Sequence, residues 1–171
     1  AQTDWKEDVL KVADIMQKKE KAEAWLADYK KKAREKGKEI KKSYGKNKSY
    51  LSILASGGQI FVYDKAGIGS ILYEDMGLKR PKGLPEQKDI SLPVVSYEGL
   101  ASIEADYILA MGTKDDMAAL KKNSVWKELP AVKKGHVAEL PASPYFNQGY
   151  SSIGRLSFLD EVNGLMEKMN E

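Results

Sequence analysis

Residue types that carry most protein chemistry are thinly spread along these 171 residues. There is one histidine, His136, and no cysteine. That excludes disulfides, thiolate metal sites and cysteine nucleophiles, and leaves no second histidine for a His-rich metal site. His136 opens the run His136-Val137-Ala138-Glu139-Leu140, which reads as a strand, so it is taken as a strand residue rather than a ligand. Gly67-Ile68-Gly69-Ser70 begins like a dinucleotide fingerprint. Leu72 stands at the third glycine position, however, and no ribose-binding acid follows in a complete βαβ unit, so a glycine turn opening a helix is the default. With no nucleophile–histidine pairing, no metal motif and no complete cofactor loop, the sequence argues against an enzyme.

Two other groups have chemistry to offer. Glu98 lies in Ser96-Tyr97-Glu98-Gly99-Leu100, where Ser96 is placed to cap a helix and Glu98 to stabilise its first turn. Ala142-Ser143-Pro144-Tyr145-Phe146-Asn147-Gln148-Gly149-Tyr150 gathers three aromatics with Asn and Gln after a strand. Read as a loop, it fits the lip of a ligand site, or equally a cover for the core.

These groups need elements to hold them. Asp4 is an N-cap candidate, and Trp5, Val9, Leu10, Val12, Ala13 and Met16 recur with helical period. After a break near Gln17, a second helical pattern runs over 19–44. Its apolar positions, Ala22, Trp25, Leu26, Tyr29, Ala33 and Ile40, form one narrow stripe among Lys and Glu. Gly45-Lys46-Asn47-Lys48 is a stop. Ser49–Ala55 and Gln59–Tyr63 flank Gly57-Gly58 as a hairpin. Gly67–Met76 reads as a helix and Pro81–Ile90 as a polar connection. Val94-Val95 is a short strand, Glu98–Ala105 a helix, and Tyr107–Met111 a buried parallel strand. Further helices are expected over 115–122 and 125–129, and a terminal one over 150–169. Trp126 and Leu129 anchor a helical turn on the core. Strands alternating with helices give an α/β sheet layered by helices.

The charge is split. Residues 1–48 hold 15 Lys/Arg against 9 Asp/Glu, and the remainder 13 against 16. Acidic residues are interleaved at helical spacing and no nucleic-acid motif accompanies them, so the basic half is read as a solvated helix face with no nucleic-acid partner. No run of 18 apolar residues is present. Ala1-Gln2-Thr3-Asp4 has no apolar leader region.

In order along the chain, a long charged helix, a β-rich restart, "VYDKAGIGSILYEDMGLKRP", "SYEGLASIEADYIL", "NSVWKELPAVKKGHVAEL" and a terminal aromatic-led helix resemble the C-terminal half of the iron–siderophore substrate-binding proteins. These are class III periplasmic binding proteins that serve ABC importers. The Trp126–Val137 segment carries the resemblance most strongly. It implies one Rossmann-like α/β lobe preceded by a long interlobe helix. Residues 1–18 would be a helix remaining from the N-terminal lobe, 19–48 the linking helix, and 49–171 the C-terminal ligand-binding lobe.

The resemblance also implies roles. Ser96, Glu98 and Leu100 match the motif whose glutamate meets arginines of the importer's membrane subunits, making Glu98 a docking candidate. A siderophore already fills the ferric ion's oxygen shell, so the protein needs aromatic surfaces and a few donors, with no metal ligand or cofactor of its own. Tyr63, Lys65, Tyr145, Phe146, Asn147 and Arg155 are of those types. The turn Asp64-Lys65-Ala66-Gly67 lacks the Trp and Arg that hydroxamate-binding relatives often place there. A strongly anionic catecholate would call for a Lys/Arg cluster, and only Lys65 stands out, so hydroxamate or carboxylate ligands are favoured. A haem receptor with Tyr145 as axial ligand, a cobalamin receptor, and a protein-binding adaptor are the alternatives. The expected setting is extracytoplasmic: a monomer lipid-anchored to the membrane of a Gram-positive bacterium, or periplasmic.

Overall fold

The computed structural model describes residues 4–89 and 91–169. The leader reading at Ala1–Thr3, Ile90 at the end of the polar connection, and the last two residues lie outside it. Helix α1 (Trp5–Ile15) is opened by Asp4, whose carboxylate accepts the Lys6 amide at 3.0 Å. Gln17, at φ 56°, turns the chain into α2 (Lys19–Tyr44). The two helices fold back on each other through aromatic rings. Trp5 meets Tyr29 edge-on at 5.2 Å and Trp25 at 6.4 Å, and Trp25 stacks on Tyr29 at 5.5 Å. Pairs of this kind add about 0.5–1.5 kcal/mol each beyond burial. The buried stripe of α2 is Tyr29, Ala33, Gly37 and Ile40, spaced as one helix face.

Five strands follow: β1 (Tyr50–Ser56), β2 (Gln59–Val62), β3 (Val94–Val95), β4 (Tyr107–Gly112) and β5 (Val137–Pro141), in the order β3-β2-β1-β4-β5. β1, β4 and β5 run parallel, while β2 is antiparallel to both β1 and β3. Gly57 and Gly58, both at positive φ, supply the two-residue turn between β1 and β2, since a tight hairpin of matching twist needs φ > 0 at both positions. Every residue of β4 is buried, as expected of a parallel strand covered on both faces.

Alternation sorts the strand residues into two layers. Tyr50, Leu109, Met111, Ala138 and Leu140 pack with α2 and with α9 (Ser152–Glu167). Leu51, Ile53, Ile60, Val62, Ile108 and Ala110 face the other way. They meet Leu100 of α4 (Tyr97–Ala101), Met117 and Leu120 of α5 (Lys114–Lys122), Trp126 of α6 (Ser124–Glu128) and Ala131 of α7 (Pro130–Lys133). Trp126 and Leu129 are buried as the sequence indicates. Asn123 caps α6 by accepting the amides of Val125 and Trp126. His136 precedes β5, with its ring stacked on Tyr107 at 4.4 Å.

The exit of α2 is tied to the sheet by one carboxylate. Asp106 accepts Lys48 Nζ at 3.1 Å, the Ser49 amide at 2.9 Å and Ser49 Oγ at 3.1 Å. The Ser49 carbonyl in turn accepts the amides of Asp106 and Tyr107, both at 3.1 Å.

Candidate functional site

Two segments frame the candidate site. The first leaves β2 through Tyr63–Ala66 and enters α3 (Gly67–Ser70), which continues as a π-helical turn over Ile71–Asp75. The second leaves β5 as α8 (Ala142–Gln148). From the sequence, 142–150 reads as a loop. Instead, Ser143 is extended (ψ 131°), as a residue before proline prefers, and Pro144 opens a helical turn where its missing N–H costs nothing. The segments touch backbone to backbone: a Cβ on Gly149 would stand 2.2 Å from the Gly67 carbonyl carbon. Gly67 itself is at φ 52°, a conformation that glycine adopts without strain. The Tyr150 hydroxyl lies 3.4 Å from where a Gly67 Cβ would be.

Two of the expected ligand residues lie in the interior. Tyr63 is fully buried, and its hydroxyl has no hydrogen-bond partner among the described residues. Burial, with Tyr150 nearby, pushes its phenol well above the ordinary range. The reason lies in topology. Tyr63 follows an antiparallel strand, so it leaves the sheet away from the carboxyl ends of β1, β4 and β5, and its ring packs into the core with Ile68 and Phe158. Arg155 is also interior, at 4% exposure. Its Nη1 donates to Asp75 Oδ2 at 2.7 Å and its Nη2 to Ser70 Oγ at 2.7 Å. The Trp5 ring covers its guanidinium at 4.5 Å. Asp75 also accepts the Tyr29 hydroxyl at 2.7 Å and pairs with Lys6 at 3.2 Å. This cluster joins α1, α2, α3, the π-helical turn and α9, and leaves Arg155 no free surface for a ligand.

Lys65 is exposed, but its ammonium donates to Glu86 at 2.7 Å, and that bond raises its pKa. It lines a groove of about 370 Å³ with Asp64, Tyr73, Glu74, Arg80 and Glu86. No residue of α8 or α9 lines that groove. Tyr145 donates its hydroxyl to Glu161 at 2.5 Å. Burial and that bond push its phenol up to about 12. Asn147 is exposed, its carbonyl accepting the Tyr150 amide at 3.1 Å. Phe146 is 39% and Tyr150 48% exposed, their rings 5.9 Å apart and tilted by 45°.

A cleft of about 570 Å³ lies between α1 and the start of α9. Trp5, Val9, Val12 and Met16 line it on one side, Tyr150, Ser151 and Ser152 on the other, with Asp8, Lys18 and Lys21 at its charged margin. Sequence reasoning places Tyr150 in the aromatic lip but not among the ligand-facing residues, and does not single out the outward face of α1. Val9, Val12 and Met16 read from the sequence as part of the apolar period, and they continue the face of α1 that carries Trp5. Glu98 is exposed in the first turn of α4, where Ser96 Oγ accepts the Gly99 amide at 3.0 Å. Among the described residues, no helix is long and apolar enough to cross a membrane.

A three-layer α/β lobe follows a 26-residue helix and presents an exposed aromatic wall at Phe146 and Tyr150. Residues 1–144 match the periplasmic binding protein family, and the chain belongs to it. The iron(3+)-hydroxamate-binding protein FhuD of Bacillus subtilis is 36% identical over 83% of the chain and 47% of its own length. The structure of FhuD2 from Staphylococcus aureus with bound ferrioxamine B superposes with a TM-score of 0.78, at 25% identity, over 99% of the chain and 65% of that structure. The triscatecholate siderophore binding protein FeuA of B. subtilis, complexed with ferri-bacillibactin, gives 0.76 at 29% identity over 96% and 59%. The chain spans about half the length of the curated relatives it matches. These relatives are binding proteins, not enzymes.

Proposed function

We propose that the chain is the C-terminal lobe and linking helix of an extracytoplasmic receptor that binds a ferric siderophore and hands it to an ABC importer. The observation that carries this reading is the exposed Phe146–Tyr150 wall held against the Gly67 turn, in a chain about half as long as siderophore-binding relatives. Residues 1–18 belong with the N-terminal lobe, 19–48 form the link and 49–171 the ligand lobe. In support, Val12, Ile15 and Met16 of α1 are 56, 83 and 57% exposed, an apolar face suited to cover by that lobe.

Phe146, Asn147 and Tyr150 face the ligand, with Tyr145 behind them and Lys65 at the periphery. Hydroxamate or carboxylate complexes fit this wall better than a catecholate. Lys65 is neutralised by Glu86, Arg155 is buried with Asp75, and only Lys18 and Lys21 beside Asp8 remain near the cleft. A haem reading is weaker, because Tyr145 already gives its hydroxyl to Glu161. Glu98 docks on the importer. The receptor is monomeric and lipid-anchored; a relative named as a probable siderophore-binding lipoprotein supports the anchor.

The test is fluorescence titration of the two-lobed protein and of residues 1–171 with ferrioxamine B, ferri-bacillibactin, haem and cobalamin. The two-lobed protein is expected to bind ferrioxamine B, and the single lobe roughly 100-fold more weakly or not at all, since pockets bury about 70–90% of a ligand's surface. Preference for haem or cobalamin, or equal affinity of lobe and two-lobed protein, refutes the proposal.

A further inference from the structure

The Arg155 cluster reaches further than a core ion pair requires. Pairing with Asp75 needs one arm of the guanidinium, and that arm is Nη1. The second arm, Nη2, donates to Ser70 Oγ, and Ser70 passes its own proton on to the carbonyl of Gly67 at 2.8 Å. Gly67 is the residue whose backbone lies against Gly149. Gly149 joins α8, which carries Phe146, to Tyr150. A chain of three contacts therefore runs from a buried cation to the exposed aromatic wall. The other end of the cluster is anchored in the helices, through Tyr29 of α2 and through Lys6 and Trp5 of α1.

We propose that Arg155 is a positioning residue for the ligand wall. Through Ser70 it fixes the Gly67 carbonyl, and with it the Gly67–Gly149 contact that sets Phe146 and Tyr150. Through Asp75 and Trp5 it registers that wall against α1 and α2. The inference rests on the ligand-binding reading above. Its chemical logic is the planar fork of arginine, which serves two acceptors in fixed directions at once, whereas a lysine ammonium at the same place has neither the fork nor the reach to serve both. The arrangement costs Arg155 one donor, since Nε is buried without a partner among the described residues. The two terminal nitrogens are thus held where Asp75 and Ser70 need them, at the expense of the third.

The test compares Ser70→Ala with Arg155→Lys. Ser70→Ala removes the link to Gly67 and keeps the Arg155–Asp75 pair. Amide hydrogen exchange in the 171-residue chain, melting temperature, and ferrioxamine B affinity of the two-lobed protein are read together. For Ser70→Ala, exchange of peptides covering 63–72 and 142–151 should rise roughly tenfold, as for loss of one charge-assisted hydrogen bond from a locally opening segment. A peptide covering 105–113 in β4 should be unchanged and the melting curve nearly so. Affinity should fall roughly three- to tenfold. Arg155→Lys should loosen the same two segments. Unchanged exchange at 63–72, or an equal rise in β4, overturns the proposal, as does local loosening with no loss of affinity. A wild-type two-lobed protein that binds no ferric probe overturns the receptor reading and with it the ligand role of Arg155. The exchange pattern then stands as a separate result about the fold.

Discussion

Replacing Gly37 by alanine should destabilise the protein, although the same change in most helix interiors stabilises it. Gly37 lies within α2, where alanine is worth about 0.8–1.0 kcal/mol over glycine. A Cβ there would stand 2.0 Å from the Met76 carbonyl oxygen and 2.9 Å from its carbon. Carbon–oxygen contacts settle near 3.3–3.6 Å, so α2 and the chain at Met76 would have to part by more than about 1 Å. Neither side yields easily. Met76 is buried and its amide is bonded to Ile71 O at 2.8 Å. The turn it closes carries Asp75, which is bonded to Tyr29 one face along on α2. Overpacking of this kind costs about 1–3 kcal/mol, and backbone-on-backbone contact puts it at the upper end. The net loss is then about 2 kcal/mol. Gly164 in α9 is the control, because nothing lies within 4 Å of its Cβ position; alanine there should add about 0.5–1 kcal/mol. Urea unfolding followed by far-ultraviolet circular dichroism gives both values, provided the m-values agree. A Gly37→Ala variant as stable as wild type or more so refutes the steric argument.

Arg155→Met should cost about 3–5 kcal/mol by leaving Asp75 short of its main partner. Adding Asp75→Asn should recover part of that loss, and a double-mutant cycle in urea measures the coupling. Ultraviolet difference titration against Tyr145→Phe should place the Tyr145 phenol near 12, with Glu161→Gln lowering it only part of the way toward about 10, because burial is the larger cause. Because the folded value is raised, the stability Tyr145 contributes is fully present below the unfolded value of about 10 and is lost as pH climbs through about 12. Unfolding curves across that window should show the difference from Tyr145→Phe shrinking. Glu98→Ala in the two-lobed protein should leave ferrioxamine B affinity unchanged and slow uptake through the importer, since an exposed carboxylate on α4 would act by pairing charge across an interface. Lost binding with normal uptake contradicts the docking role.

The elements themselves were largely legible. The stripe Tyr29, Ala33, Ile40 announces α2, Gly57-Gly58 announces the β1–β2 hairpin, and the unbroken apolar run Tyr107–Met111 announces a buried strand, because each signal is local. The surroundings of the candidate site residues depend on contacts distant in sequence. Arg155 meets Asp75 across 80 residues, and no spacing rule distinguishes a buried arginine from an exposed one when its partner is that remote. Tyr63 has the residue type of a ligand contact, and type alone says nothing of burial. The hairpin reading already implied that β2 runs against β1, which sends Tyr63 away from the carboxyl ends of the parallel strands. At 142–150 the sequence reads as a loop, while Pro144 starts a helical turn. The approach of Met76 to Gly37 is visible only in three dimensions.

The Asp106 knot at the exit of α2 has a mechanical consequence. A helix of 26 residues is about 39 Å long. Its flank is already seated on the lobe through Tyr29, Ala33, Gly37 and Ile40, so the knot is a second fixing at the C-terminal end, where Lys48, the Ser49 amide and the Ser49 hydroxyl all meet one carboxylate. Clamped along its side and pinned at its exit, α2 moves with the lobe as one body, and Asp106→Asn should fray the junction at 45–49 before it re-aims the helix.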